Sequence, residues 1–67
     1  MVKCSNVRVD FDENGCMIPI SFFSKGIEYR IIRIISYFED FNEAKYICET
    51  NQGIKTLIRI INLWYHI

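Results

Sequence analysis

Residues 27–38 read IEYRIIRIISYF, and this stretch can be taken as helix or as strand. On a helix, Ile27, Ile31, Ile34, Ile35 and Phe38 form one stripe, and Ile54, Leu57, Ile58 and Ile61 form another further on. On a strand, Tyr29 and Ile31 share one face while Ile32 and Ile34 share the other. Either both faces are then buried, or a bulge near Ile32 to Ile35 shifts the register. Composition decides for the strand. Thirteen isoleucines and three valines stand against two leucines and one alanine, Ala44. β-Branched side chains lose rotamer freedom on a helix and pack well on a pleated surface.

Working outward, the turn signals agree. Glu13-Asn14-Gly15 follows the alternating Val7, Val9 and Phe11, and Asn-Gly is a strong hairpin signal. Ser24-Lys25-Gly26 and Asn51-Gln52-Gly53 separate further apolar runs. Five strands result: Lys3 to Asp12, Cys16 to Phe23, Ile27 to Tyr37, Lys45 to Thr50 and Ile54 to Ile61, with a short sixth at Trp64 to Ile67. Short connections make neighbours antiparallel. Pro19 lacks a donor, which places it at an edge or a strand start. Phe38 to Ala44 (FEDFNEA) reads as one short helical turn or as a loop. The expected fold is all-β, one domain over residues 1–67, a five- to six-stranded antiparallel sheet or SH3-like barrel. Its expected core is Val7, Val9, Phe11, Ile18, Ile20, Phe22, Tyr29, Ile31, Ile34, Tyr46, Cys48, Leu57 and Trp64.

Several function classes fall away. The formal charge is zero, whereas duplex binders carry a positive excess. Arg8 and Asp10 break up the N-terminal apolar residues, so no signal peptide is read, and no run nears the about 20 apolar residues of a membrane helix. A cytoplasmic, soluble protein is expected. Cys4, Cys16 and Cys48 are an odd, widely spaced set without a C-x-x-C pair, which suits reduced, partly buried thiols. A zinc site would have to gather all three with His66, and nothing in the spacing favours it.

The chain resembles a family of small bacterial antiparallel β proteins of uncharacterised function. The resemblance rests on the acidic-Gly turn within Phe11 to Gly15 and the proline-bearing strand Met17-Ile18-Pro19-Ile20. It continues in Gly26-Ile27-Glu28-Tyr29 with Ile32, then Tyr46, Cys48, Leu57 and the closing pair Trp64-Tyr65. The chain departs from that pattern in FNEAK, where the family has a Gly-rich segment, and in His66, where it has an acidic residue. The resemblance implies a small antiparallel sheet or barrel and no particular activity.

Asp10, Asp12, Asn14 and Gly15 spell D-x-D-x-N-G, the opening of a calcium loop. The twelfth position, which should be Glu, is Ser21, so a β-turn with solvated acids is the better reading. His66 is the single histidine, and Ser5, Ser21, Ser24 and Ser36 lack a G-x-S-x-G setting. Cys48 with His66 has no orienting group for nucleophilic chemistry. No enzyme, cofactor or metal is expected.

Tyr29, Arg30, Arg33, Arg59 and Trp64 interleave aromatic and basic residues, as small barrels that bind single strands do. The plainer alternative buries Tyr29 and Trp64 and balances the cations with Glu28 and Glu49. The favoured function is an interaction or structural module that binds another protein or another copy of itself. Weak single-stranded nucleic-acid binding through those five residues is the alternative, and no membrane partner is expected.

Overall fold

The computed structural model describes residues 1–67, and every regular element in it is a strand. These are β1 (Val2–Lys3), β2 (Ser5–Phe11), β3 (Met17–Ser24), β4 (Ile27–Glu39), β5 (Glu43–Thr50), β6 (Gly53–Ile60) and β7 (Leu63–His66). They form one antiparallel sheet in the order β1-β7-β6-β5-β4-β3-β2, curled into a half-barrel. Seven strands replace the expected five to six. The extra one arises because the first strand is two: Val2–Lys3 pairs with β7, and after Cys4 the chain turns to pair with β3. Asn6, at φ 49°, takes the left-handed conformation that asparagine tolerates better than most residues. One short stretch of chain thereby reaches both ends of the sheet.

No helical turn forms over residues 38–44. Phe38 and Glu39 end β4, and Asp40 N–H donates to the Glu43 carbonyl at 2.7 Å, so Phe41 and Asn42 are a tight connection into β5. Two hairpin partners within reach outweigh the weak helix preference of this acidic segment. The other hairpins follow their turn chemistry. Lys25 and Gly26 both have positive φ, 52° and 79°, as a primed two-residue turn demands. Gly53 at φ 102° closes the β5–β6 turn, where the Thr50 hydroxyl accepts from Gln52 N–H at 3.0 Å and donates to the Gly53 carbonyl at 2.7 Å.

Ile61, in the β6–β7 connection, has φ 57°. A β-branched residue there is strained by about 1–3 kcal/mol. Its N–H bond to the Asn42 carbonyl at 2.8 Å helps hold it. Ile61→Gly should therefore raise the unfolding free energy by about 1 kcal/mol, once glycine's freer unfolded state is deducted, and with it the urea midpoint. A lower midpoint in a urea melt would count against strain at this tip.

The long strand β4 carries the decisive irregularity. Its ladder with β5 breaks register between Ile31 and Arg33 and again between Ile34 and Ser36. Each break is a bulge, so Ile32 stands outward beside Arg33 and Ile35 outward beside Ser36. Ile31 and Ile34 are left to pack on the core, and the Tyr37 ring lies 4.9 Å from that of Tyr46.

The core is Cys4, Phe22, Ala44, Tyr46, Cys48 and Leu57, flanked by Val7, Tyr29, Ile31, Ile34 and Trp64. Phe22 stacks on Tyr29 at 4.8 Å, and Tyr46 stacks on Trp64 at 5.9 Å. Four expected core residues lie outside this core: Val9 and Ile18 are half-buried, Phe11 is 58% exposed and Ile20 42%. Ile20 is the unpaired residue where the β2–β3 ladder slips between Arg8↔Ser21 and Val9↔Pro19, so it turns outward while Pro19 and Ser21 are buried. Phe11 ends β2 beside the cleft that opens because the β3–β4 ladder stops at Ser21↔Arg30. Pro19 falls beyond that stop, paired to Val9 of β2, where a missing donor interrupts no β4 ladder.

Candidate functional site: the outward face of β4 to β6

In β5, Ala44, Tyr46, Cys48 and Thr50 are buried, and Lys45, Ile47 and Glu49 alternate with them on the outside. The pairing register places Phe38 and Ile58 on either side of Lys45, Ser36 and Thr56 beside Ile47, and Arg33 and Ile54 beside Glu49. The bulged Ile32 and Ile35 enrich the β4 border of this grid. Ile32, Ile35, Phe38, Ile47 and Ile54 are all exposed. Ile58 is buried on the outward side, across from Lys45 and Tyr65. Arg33 Nε binds Glu49 Oε1 at 2.7 Å, so the face carries its own counter-charge. Both partners are well exposed, which keeps that pair's stability contribution within about 1 kcal/mol.

The five residues singled out from sequence do not share a surface. Tyr29 lies inward on Phe22, with Lys55 Nζ 5.6 Å from its ring centroid, and Trp64 lies inward on Tyr46. Arg30 and Arg33 are exposed and paired with Glu28, at 3.4 Å, and Glu49. Arg59 faces a third region, the cleft that opens where β3 and β4 part. A cavity of about 260 Å³ there is lined by Phe11, Gly15, Cys16, Met17, Tyr37, Glu39, Tyr46 and Arg59. Arg59 reaches Glu39 at 3.5 Å and the Ile61 carbonyl at 3.0 Å, and its buried Nε has no partner. Tyr37 donates to Glu39 at 2.6 Å, and that bond, then burial, pushes the phenol's pKa upward.

Away from that cleft, His66 Nε2 and Ser24 Oγ lie 2.7 Å apart, both buried, with the His66 ring 5.5 Å from each ring of the Phe22–Tyr29 stack. The buried Nδ1 of His66 has no hydrogen-bond partner. Burial lowers the His66 pKa below its ordinary 6.5, and the nearby Lys55, Lys25 and N-terminus push the same way. A depressed histidine pKa means the unfolded chain binds the proton more readily. Stability is therefore full above pH 6.5 and drains as pH falls through the folded value. The thermal midpoint should drop between pH 8 and pH 5, and His66→Gln should flatten that slope. An equal slope in the variant would assign the acid sensitivity to carboxylates.

Cys4 and Cys48 are buried, with thiol pKa values pushed up to about 11 by burial, and Cys16 is exposed at the cleft. Asp12 uses its Oδ1 to cap its own turn, accepting from Asn14 N–H at 2.8 Å and Cys16 N–H at 2.9 Å. The D-x-D-x-N-G stretch thus spends this carboxylate oxygen on backbone amides, as a β-turn does. No helix is long and apolar enough to cross a membrane. Comparison with family models, with curated proteins and with solved structures finds no match to this chain.

The residues that sequence reasoning passed over are Lys45 and Ile47, and Glu49 entered it only as a counter-charge to the arginines. Their signal is the period-two alternation with Tyr46 and Cys48, which fixes one face inward and the other outward.

Proposed function

We propose that the protein is an interaction module whose working surface is the outward face of β4 to β6. The half-barrel is taken to be a small barrel of the SH3-like kind, left open along the β3–β4 cleft. One observation carries the reading: five large apolar side chains, Ile32, Ile35, Phe38, Ile47 and Ile54, stand exposed together on a single-layered sheet. Domains ordinarily bury such a face under a second layer. Contiguous apolar surface left open on a small domain marks a place where another surface docks.

An environment-sensitive apolar dye should bind the native protein at the lowest concentration the signal allows. The triple variant Ile35→Ser, Ile47→Ser, Ile54→Ser should keep the circular dichroism spectrum and lose the dye. Retained dye binding in a folded triple variant would refute this surface.

A further inference from the structure

We infer that the outward face is occupied by a second copy of this chain, packed sheet on sheet about a two-fold axis that crosses β5 at Ile47. The inference rests on the interaction reading above and names its partner.

Charge selects this arrangement. Along the middle strand of the face the outward side chains run Lys45, Ile47, Glu49: cation, apolar, anion. A two-fold axis lying along β5 would set Lys45 on the partner's Lys45. An axis across the strands at Ile47 instead reverses β5 and sets Lys45 over the partner's Glu49, and Glu49 over the partner's Lys45. The apolar centre meets itself, as an isologous contact requires. Arg33, already 2.7 Å from Glu49, extends each cross-pair into a triad of two cations and one anion. Face-to-face sheets pack about 10 Å apart with strands within about 30° of each other, which leaves these long side chains room to meet.

Area sets the strength. Three strands spaced by about 4.8 Å, each about 26 Å long, present about 370 Å² in plan. Two such faces bury about 750 Å² together, short of the about 1,000 Å² of a stable specific interface and in the range of weak, transient contacts. The dimer is therefore weak and concentration-dependent, with a dissociation constant in the micromolar range rather than an obligate contact. An anionic membrane is a poorer occupant, since it rewards an excess of Lys and Arg on the apolar face, and this chain has no net charge.

The test is a charge swap read by sedimentation velocity over a concentration series. Lys45→Glu alone places Glu on the partner's Glu49, and Glu49→Lys alone places Lys on the partner's Lys45. Each variant should dimerise at least about tenfold more weakly than the parent. An equimolar mixture of the two should dimerise again, because every cross-contact in the mixed pair is then opposite in sign. Lys45 is exposed and Glu49 half-buried on the outward side, and recovery on mixing shows that each variant is folded. Three results would overturn the proposal: a parent that stays monomeric to millimolar concentration, single variants that dimerise like the parent, or a mixture that stays monomeric. A monomeric parent that still binds the apolar dye leaves the interaction surface standing and removes only the second copy. A parent that neither dimerises nor binds dye removes both.

Discussion

Deleting Ile47 should unfold the protein, whereas deleting Ile35 should leave it folded. Both are exposed isoleucines on neighbouring strands, so composition and burial alone would not separate them. Register does. β5 pairs with β6 from Glu43↔Ile60 to Thr50↔Gly53 without a break. Removing Ile47 obliges one side of the gap to exchange faces. Either Glu49 turns inward while Cys48 and Thr50 turn out, or Lys45 turns inward while Ala44 and Tyr46 turn out. Each choice buries a charge and exposes core, at several kcal/mol. A chain of 67 residues holds only about 3–10 kcal/mol in all.

Ile35, by contrast, is the surplus residue of a bulge, between Ile34↔Cys48 and Ser36↔Ile47. Without it the strand reads Ile34 inward, Ser36 outward, Tyr37 inward, which is regular alternation. The expected loss is about 1–2 kcal/mol, from reduced twist and one fewer outward isoleucine. Amide NMR dispersion and a urea melt would decide it. A folded Ile47 deletion would contradict the unbroken register of β5 with β6, and an unfolded Ile35 deletion would contradict the bulge assigned to β4.

Phe22→Ala should come close to abolishing the native state. Phe22 is fully buried and stacks within 5° of parallel on Tyr29, with the His66 ring 5.5 Å away. Truncating a core phenylalanine costs about 3–5 kcal/mol through lost transfer energy and the cavity left behind. The lost aromatic stack adds about 1 kcal/mol. The sum is most of what a protein this small possesses. Phe22→Leu keeps much of the volume and should lose only about 1–1.5 kcal/mol. Urea midpoints would grade the pair. A mild Phe22→Ala would mean that the half-barrel collapses around the gap.

These two expectations also explain what the sequence made legible. Isoleucine-rich composition and Gly-bearing turns are local properties, so the strand class and the hairpins at Lys25-Gly26 and Asn51-Gly53 could be read directly. The helical stripe in β4 has a physical origin. Two bulges set the inward residues Ile31, Ile34 and Tyr37 three apart, a spacing nearer the helical period than the strand period of two. Only Ile31 and Ile34 of the apparent helical stripe owe their place to the bulges; Ile27, Ile35 and Phe38 are exposed, and their fit to a helical period reflects the density of apolar residues in β4. The split of the first strand at Cys4 was not legible, because two residues are too few to show a period and their partner lies at the far end of the chain. The candidate site was half legible. Alternation about Ile47 places one face outward, but that most of that face stays uncovered, with Ile58 the buried exception, depends on the whole sheet.

The N-terminal stretch that touches both ends of the sheet also dictates the order in which structure can accumulate. The β3–β4, β5–β6 and β6–β7 hairpins close loops of a few residues and form on a microsecond scale. Val2↔His66 joins residues 64 apart, and the length-dependent part of that closure entropy alone is about 3.7 kcal/mol. Only two paired residues and the Cys4 N–H bond to the Trp64 carbonyl, at 2.9 Å, repay it. β1 therefore docks after the transition state, so its mutations should speed unfolding and leave the folding rate alone.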